Sequence, residues 1–167
     1  NLFEYLSMNP EASKTFSDAM SVYASSYINP LLDNFDFSTF NIIADIGGSN
    51  GDLLKQILTK YQYLNGILFD LPNVIENINM ECFEPEFSGR IKIAAGNFFN
   101  SVPKNCDLYI LKKIIHDWDD EHSIKILKNC YNASKTGSKI IIIESVIGDN
   151  IESVIGDNNE FSTNSYM

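Results

Sequence analysis

The sequence predicts an α/β fold on a parallel sheet, and three observations predict it. Short apolar runs alternate with amphipathic helical patterns, the signature of strands joined by crossover helices. The first run, Asn41-Ile-Ile-Ala-Asp-Ile46, leads into a glycine turn, Asp45-Ile-Gly-Gly-Ser-Asn-Gly51, and then into a helical pattern. The second run, Gly66-Ile-Leu-Phe69, ends in the carboxylate of Asp70, 19 residues after Gly51. In an open parallel sheet, the turn and that carboxylate lie at the carboxyl ends of adjacent strands, where such folds bind ligands.

The elements follow in order. Ala12, Phe16, Ala19, Met20, Tyr23 and Tyr27 recur at spacings of three and four, which predicts an amphipathic helix over residues 11–27. Asn29-Pro30 is expected to end it, with a short helix or turn through Leu31–Phe37. After the first strand and turn, Leu53, Leu54, Ile57, Leu58 and Tyr61 mark a helix over residues 51–61. A strand over 66–70 and a helix starting near Pro72, a good first helical residue, come next. Ile91 to Ala95 read as a third strand ending at Gly96, and Asp107 to Leu111 as a fourth after a turn at Pro103-Lys-Asn. Asp119, Asp120 and Glu121 suit the positive end of a helix that runs to about Ala133. Lys139 to Glu144 form the last strand.

Composition narrows the function classes. A chain of 167 residues, 44% of them hydrophobic, can bury one real core. A net charge of −10, with Lys112-Lys113 as the densest basic pair, argues against nucleic acid or an acidic membrane surface as partner. Cys82, Cys106 and Cys130 show neither metal-ligand nor disulfide spacing. No apolar span approaches membrane length and no signal peptide is visible, so a soluble, reducing, cytoplasmic setting is expected. The chain starts at Asn1 and ends at Ser165-Tyr166-Met167, which is read as a fragment of a longer protein. Ile143 to Asn150 recur unchanged as Ile151 to Asn158, a duplicated loop or a sequence error.

The turn selects among nucleoside ligands. A dinucleotide fingerprint needs G-x-G-x-x-G, yet Ser49 stands where the second glycine belongs, between Gly48 and Gly51. No G-x-x-x-x-G-K-[ST] is present to cradle phosphates. The pattern Asp45-x-Gly47-x-Ser49-x-Gly51 suits a ligand without a pyrophosphate, such as S-adenosylmethionine, and Asp70 can accept hydrogen bonds from a ribose diol. A glycine turn that binds nothing is the alternative, and the position of Asp70 counts against it. His116, at the end of the fourth strand, is the candidate proton acceptor. The plainer reading is a loop histidine held by adjacent carboxylates. His116 and His122 are six apart, off one helical face, so no metal site is expected.

Asp45-Ile-Gly-Gly-Ser-Asn-Gly51, Phe69-Asp-Leu-Pro72, Gly96-Asn-Phe-Phe99 and His116-Asp-Trp-Asp-Asp-Glu121 occur in order, with Leu127-Lys-Asn-Cys130 and Ile142-Ile-Glu144 behind them. The set resembles the small-molecule O-methyltransferases of the plant caffeate and hydroxyindole (acetylserotonin) type. The resemblance implies a Rossmann-like class I methyltransferase sheet, S-adenosyl-L-methionine as cofactor, a small hydroxylated aromatic acceptor, and a homodimer for the full-length protein. It implies cofactor contacts from Asp45, Gly47, Gly48, Gly51, Asp70, Leu71, Asn97, Phe98 and Lys112. His116 becomes the general base, with Asp117 beside it and Glu144, 28 residues on, flanking the imidazole.

The same resemblance divides the chain into a helical linker from a dimerisation domain (1–36), a cofactor domain (37–145) and a loop with the duplication (146–167). Two departures stand out. Asn97 replaces an acidic residue, and Ser49 replaces a glycine, a mild change if its backbone angle is ordinary. The family's N-terminal helical domain and C-terminal strands are expected to be missing, which leaves residues 139–144 as an apolar sheet edge. A remnant that only binds the cofactor weakly, or associates with other chains, is the alternative function.

Overall fold

The computed structural model describes residues 5, 6, 8–83 and 85–144. A long helix α1 (Pro10–Asn34) precedes β1 (Ile42–Ile46), α2 (Asp52–Lys60), β2 (Asn65–Asp70), a single turn α3 (Pro72–Ile75) and β3 (Ile91–Ala95). Then come β4 (Leu108–Lys112), a 3₁₀ turn at Ile115–Asp117, α4 (Asp120–Ala133) and β5 (Lys139–Ile143). The strands form one parallel sheet in the order β3-β2-β1-β4-β5. The order reverses between β1 and β4, so their carboxyl ends flank the crevice of a doubly wound sheet.

Each face of the sheet has its own core. Ile43, Leu68, Leu108 and Ile110 pack with Ile28 and Leu31 of α1 and with Leu53, Leu54, Ile57 and Leu58 of α2. Ala44, Ile46, Tyr109 and Leu111 face the other way, against Ile126, Cys130 and Ala133 of α4. The alternation along β1 is the period-two rule of a strand covered on both sides. Burial pushes the Cys130 thiol up to about 12, so that sulfur acts as a small apolar filler.

One expected boundary is wrong. Pro30 lies inside α1, which runs on to Asn34, where the sequence places a helix end at Asn29-Pro30. Proline fixes a helix-compatible φ and costs one backbone donor. Continuing the helix keeps Ile28 and Leu31 together against α2, and that burial outweighs the lost bond. Asn34 Nδ2 then donates to the Pro30 carbonyl at 2.8 Å. β5 is an edge of the described sheet, with Ile142 46% exposed. Residues 146–167 and the second copy of the repeat lie outside the described residues.

Candidate active site

The register of the strands gathers the candidate residues. Asp45 pairs with Leu68 on β2 and Ile110 on β4, residues that share its face. Two positions further, the same face carries Asp70 on β2 and Lys112 on β4. Three ionisable groups thus converge at the carboxyl ends of three neighbouring strands, with Leu71 following Asp70.

The turn above them is bent by left-handed residues. Gly47, Ser49 and Gly51 have φ of +71°, +51° and +73°. Ser49 therefore does not hold an ordinary angle, and its replacement of a glycine stores strain rather than being mild. Its amide donates to Asp70 Oδ2 at 2.9 Å, which holds it there. A Cβ added at Gly48 would lie 2.4 Å from Leu68 Cδ1 and 2.8 Å from Asp45 Oδ2, so only glycine fits. The amides of Gly47 and Gly48 donate to the Phe69 carbonyl, and that of Gly51 to the Gly48 carbonyl. With those donors spent inside the fold, the turn is not built to cradle a pyrophosphate.

The two acids differ in state. Asp45 is 1% exposed and neither carboxylate oxygen has a hydrogen-bond partner among the described residues. Burial pushes it up to about 7, opposed by the Lys112 charge and reinforced by Asp70 and Asp52. Asp70 accepts from the amides of Ser49 and Leu71, the latter at 2.7 Å. Burial raises it above the usual carboxylate range, and those two bonds pull it back. Each Asp70 oxygen retains a lone pair for a ligand hydroxyl.

His116 sits in the 3₁₀ turn after β4, its side chain half exposed. Its Nδ1 lies 2.7 Å from Glu144 Oε2, just past β5. Glu144 Oε1 accepts from the amide of Ile115 at 3.0 Å, so the carboxylate is fixed before it orients the ring. A neutral ring that donates from Nδ1 to Glu144 has its lone pair on Nε2. Asp117 Oδ1 is 3.4 Å from Nε2. The plainer reading of a histidine held by carboxylates and the functional one therefore share this geometry.

The loop after β3 completes the rim. Asn97 accepts from the Phe99 amide at 2.8 Å, which makes a tight turn and presents Phe98 toward Gly47. Phe98 and Phe99 meet Trp118 edge to face, with ring centroids 6.0 and 4.6 Å apart. His122 packs on both Phe99 and Trp118, and its Nδ1 lies 2.7 Å from Asp119 Oδ1. Sequence reasoning did not single out Phe99, Trp118 or Ile114 as site residues. Ile114 bridges the two halves: its Cδ1 occupies the space beside Gly47, two residues before His116. Only the apolar character of residues 114 and 115 hinted at it.

The O-methyltransferase domain family matches residues 1–161 of this sequence. The chain belongs to that family. The phenazine O-methyltransferase of Lysobacter antibioticus is 39% identical over 145 residues, 87% of this chain and 42% of that protein. A caffeic acid 3-O-methyltransferase of Capsicum chinense is 38% identical over 146 residues, 87% of this chain and 38% of its own length. The crystal structure of human N-acetylserotonin methyltransferase in complex with S-adenosylmethionine matches with a TM-score of 0.78 at 29% identity, over 94% of this chain and 44% of that one. The chain thus spans about two fifths of the length of the curated relatives it matches. The expected resemblance and the parallel Rossmann-like methyltransferase sheet are both borne out for this O-methyltransferase domain. Among its described residues no helix is long and apolar enough to cross a membrane.

Proposed function

We propose that this domain binds S-adenosylmethionine and that the whole protein transfers its methyl group to a hydroxyl of a small aromatic molecule, with His116 as general base. The observation that carries the reading is the 2.7 Å contact of His116 Nδ1 with Glu144, at the sheet end that also carries Asp70 and the glycine turn. Relatives named for phenazine and caffeic acid methylation support a hydroxylated aromatic acceptor.

The residues present fit the cofactor. A buried carboxyl without a partner among the described residues (Asp45), a turn that admits no side chain at position 48, and an Asp70 with spare acceptor capacity suit a cationic nucleoside without phosphate. In this reading Asp70 and Leu71 hold the ribose, Gly47, Gly48 and Gly51 let the backbone approach the methionine end, and Lys112 supplies a polar contact. Asn97 and Phe98 form the adenine side. Bound S-adenosylmethionine supplies a methyl group already activated by its sulfonium. Orienting an acceptor oxygen toward it is worth up to ~7–11 kcal/mol in favourable cases.

His116 Nε2 takes the proton from the acceptor hydroxyl, a contribution of ~10²–10⁴ in rate. The imidazolium that forms is paired with Glu144, and Asp117 stands on its other side. The whole protein is read as a cytoplasmic homodimer. Residues 1–36 are assigned to the link from its dimerisation domain and residues 37–145 to the cofactor domain.

Methyl-labelled S-adenosylmethionine, offered with a panel of hydroxylated aromatics, tests the proposal by mass spectrometry. Label on an acceptor hydroxyl, slowed at least ~100-fold by His116→Gln with cofactor affinity retained, is expected. Wild-type turnover by His116→Gln would remove the general-base role. Binding without transfer to any acceptor would favour the alternative, a cofactor-binding remnant.

A further inference from the structure

The carboxyl of Asp45 is the least satisfied polar group among the described residues. It is 1% exposed, and both its oxygens lack a hydrogen-bond partner. Leu68 and Ile110 flank it in register, and the α-carbon of Gly48 closes over it. A carboxylate confined in this way has lost its hydration without gaining donors, which disfavours the ionised form.

The charged groups facing it come from three elements. Lys112 at the end of β4 favours ionisation, while Asp70 at the end of β2 and Asp52 at the start of α2 oppose it. We propose that Asp45 holds a proton when the glycine turn has no ligand and releases it to solvent when a cationic amino-acid group docks there. Ligand binding is thereby coupled to proton release.

The proposal deepens the cofactor reading and rests on it. An ammonium or sulfonium brought to the turn adds the positive charge that Lys112 alone does not supply against two acids. The O–H bond of the carboxyl breaks, the proton leaves to buffer, and the new carboxylate faces the bound cation. No other atom changes hands. The position of the group near neutrality, at about 7, puts the event in an accessible range. The amides of Gly47, Gly48 and Gly51, spent inside the fold, offer no cradle for a phosphate.

Titration calorimetry in buffers of different ionisation enthalpy counts protons directly. S-adenosylhomocysteine, which carries an ammonium, is titrated near pH 7 into the chain and into Asp45→Asn, with adenosine as the uncharged probe. The wild-type chain should release about half a proton more than the variant with S-adenosylhomocysteine, and no more than the variant with adenosine. Its affinity for S-adenosylhomocysteine should rise from pH 5.5 to 7.5, a trend that needs no variant to fold.

Saturable binding with equal proton counts, or a flat pH profile, overturns the coupling and leaves the cofactor reading intact. An equal difference with adenosine assigns the effect to ligand burial and overturns the role of the cation. No saturable binding by a folded chain overturns the cofactor reading and the coupling together.

Discussion

Asp107 and Asp45 serve the same pair of strands from opposite ends. Asp107 stands just before β4, and its Oδ2 accepts from the amides of Asn41 and Ile42 at the start of β1, at 2.8 and 2.9 Å. Its Oδ1 lies 2.6 Å from the Lys135 ammonium. Burial pushes that carboxyl up, but the lysine and the two amides outweigh it and hold it below the usual range. Asp45, at the other end of β1, has no donor among the described residues and is pushed up to about 7. One acid finishes the amino end of the sheet, while the other is left unfinished at the carboxyl end. Within one strand pair, satisfied polar chemistry marks the scaffold and unsatisfied polar chemistry marks the site.

Substitutions can break that contrast. The largest effect is expected at Asp107→Ala, which strands two amides and a lysine. It should cost about 3 kcal/mol in urea unfolding at pH 7. Because the folded carboxyl is depressed, this stabilisation is present above its unfolded pKa and fades as pH falls through the folded value, so the two unfolding curves should converge in acid.

Tyr109 is next. Its hydroxyl is within 2.9 Å of the Pro103 carbonyl and 3.0 Å of the Ala133 carbonyl, and the Cys106 amide donates to it at 3.3 Å. Tyr109→Phe should lose about 2 kcal/mol, read by thermal or urea unfolding, with ligand affinity unchanged.

Asp45→Asn reverses the sign. The folded group is raised from 3.8 to about 7, so the folded protein binds the extra proton between those values and wild-type stability declines as pH rises through them. The asparagine chain lacks that decline. Above pH 7 the ligand-free variant should be the more stable by at least about 1 kcal/mol, and a pH series of melting curves shows it.

The smallest change is Ser49→Gly. Relief of a left-handed serine, ~1–2 kcal/mol, slightly exceeds the added freedom of glycine in the unfolded chain, ~0.5–1 kcal/mol. A gain of up to about 1 kcal/mol in unfolding is expected. A loss would mean that the Ser49 side chain supports the turn.

What could be read in advance follows from how local each signal is. The strands, the glycine turn and Asp70 are short patterns whose physics is local or set by the end of a strand, whereas Glu144, 28 residues from His116, is reached only through the family resemblance. Pro30 inside α1 was misread because burial of Ile28 and Leu31 against α2 is a tertiary effect that no window around Asn29-Pro30 contains. The left-handed angle of Ser49 depends on a hydrogen bond to Asp70, 21 residues away. Ile114 as the bridge between turn and histidine needed the crossing of β4 past β1, since its neighbour Lys113 turns the chain with φ of +56°. The clasp of Asp107 on β1 spans 65 residues and leaves no trace in composition.

The most direct test titrates S-adenosylhomocysteine into three folded proteins in parallel: the wild-type chain, Asp70→Ala and Asp107→Ala. If the carboxyl end of the sheet is the site and the amino end the scaffold, Asp70→Ala loses at least tenfold in affinity while Asp107→Ala loses stability and keeps its affinity. Equal binding by the wild-type chain and Asp70→Ala, or no saturable binding by any folded protein, would contradict the account.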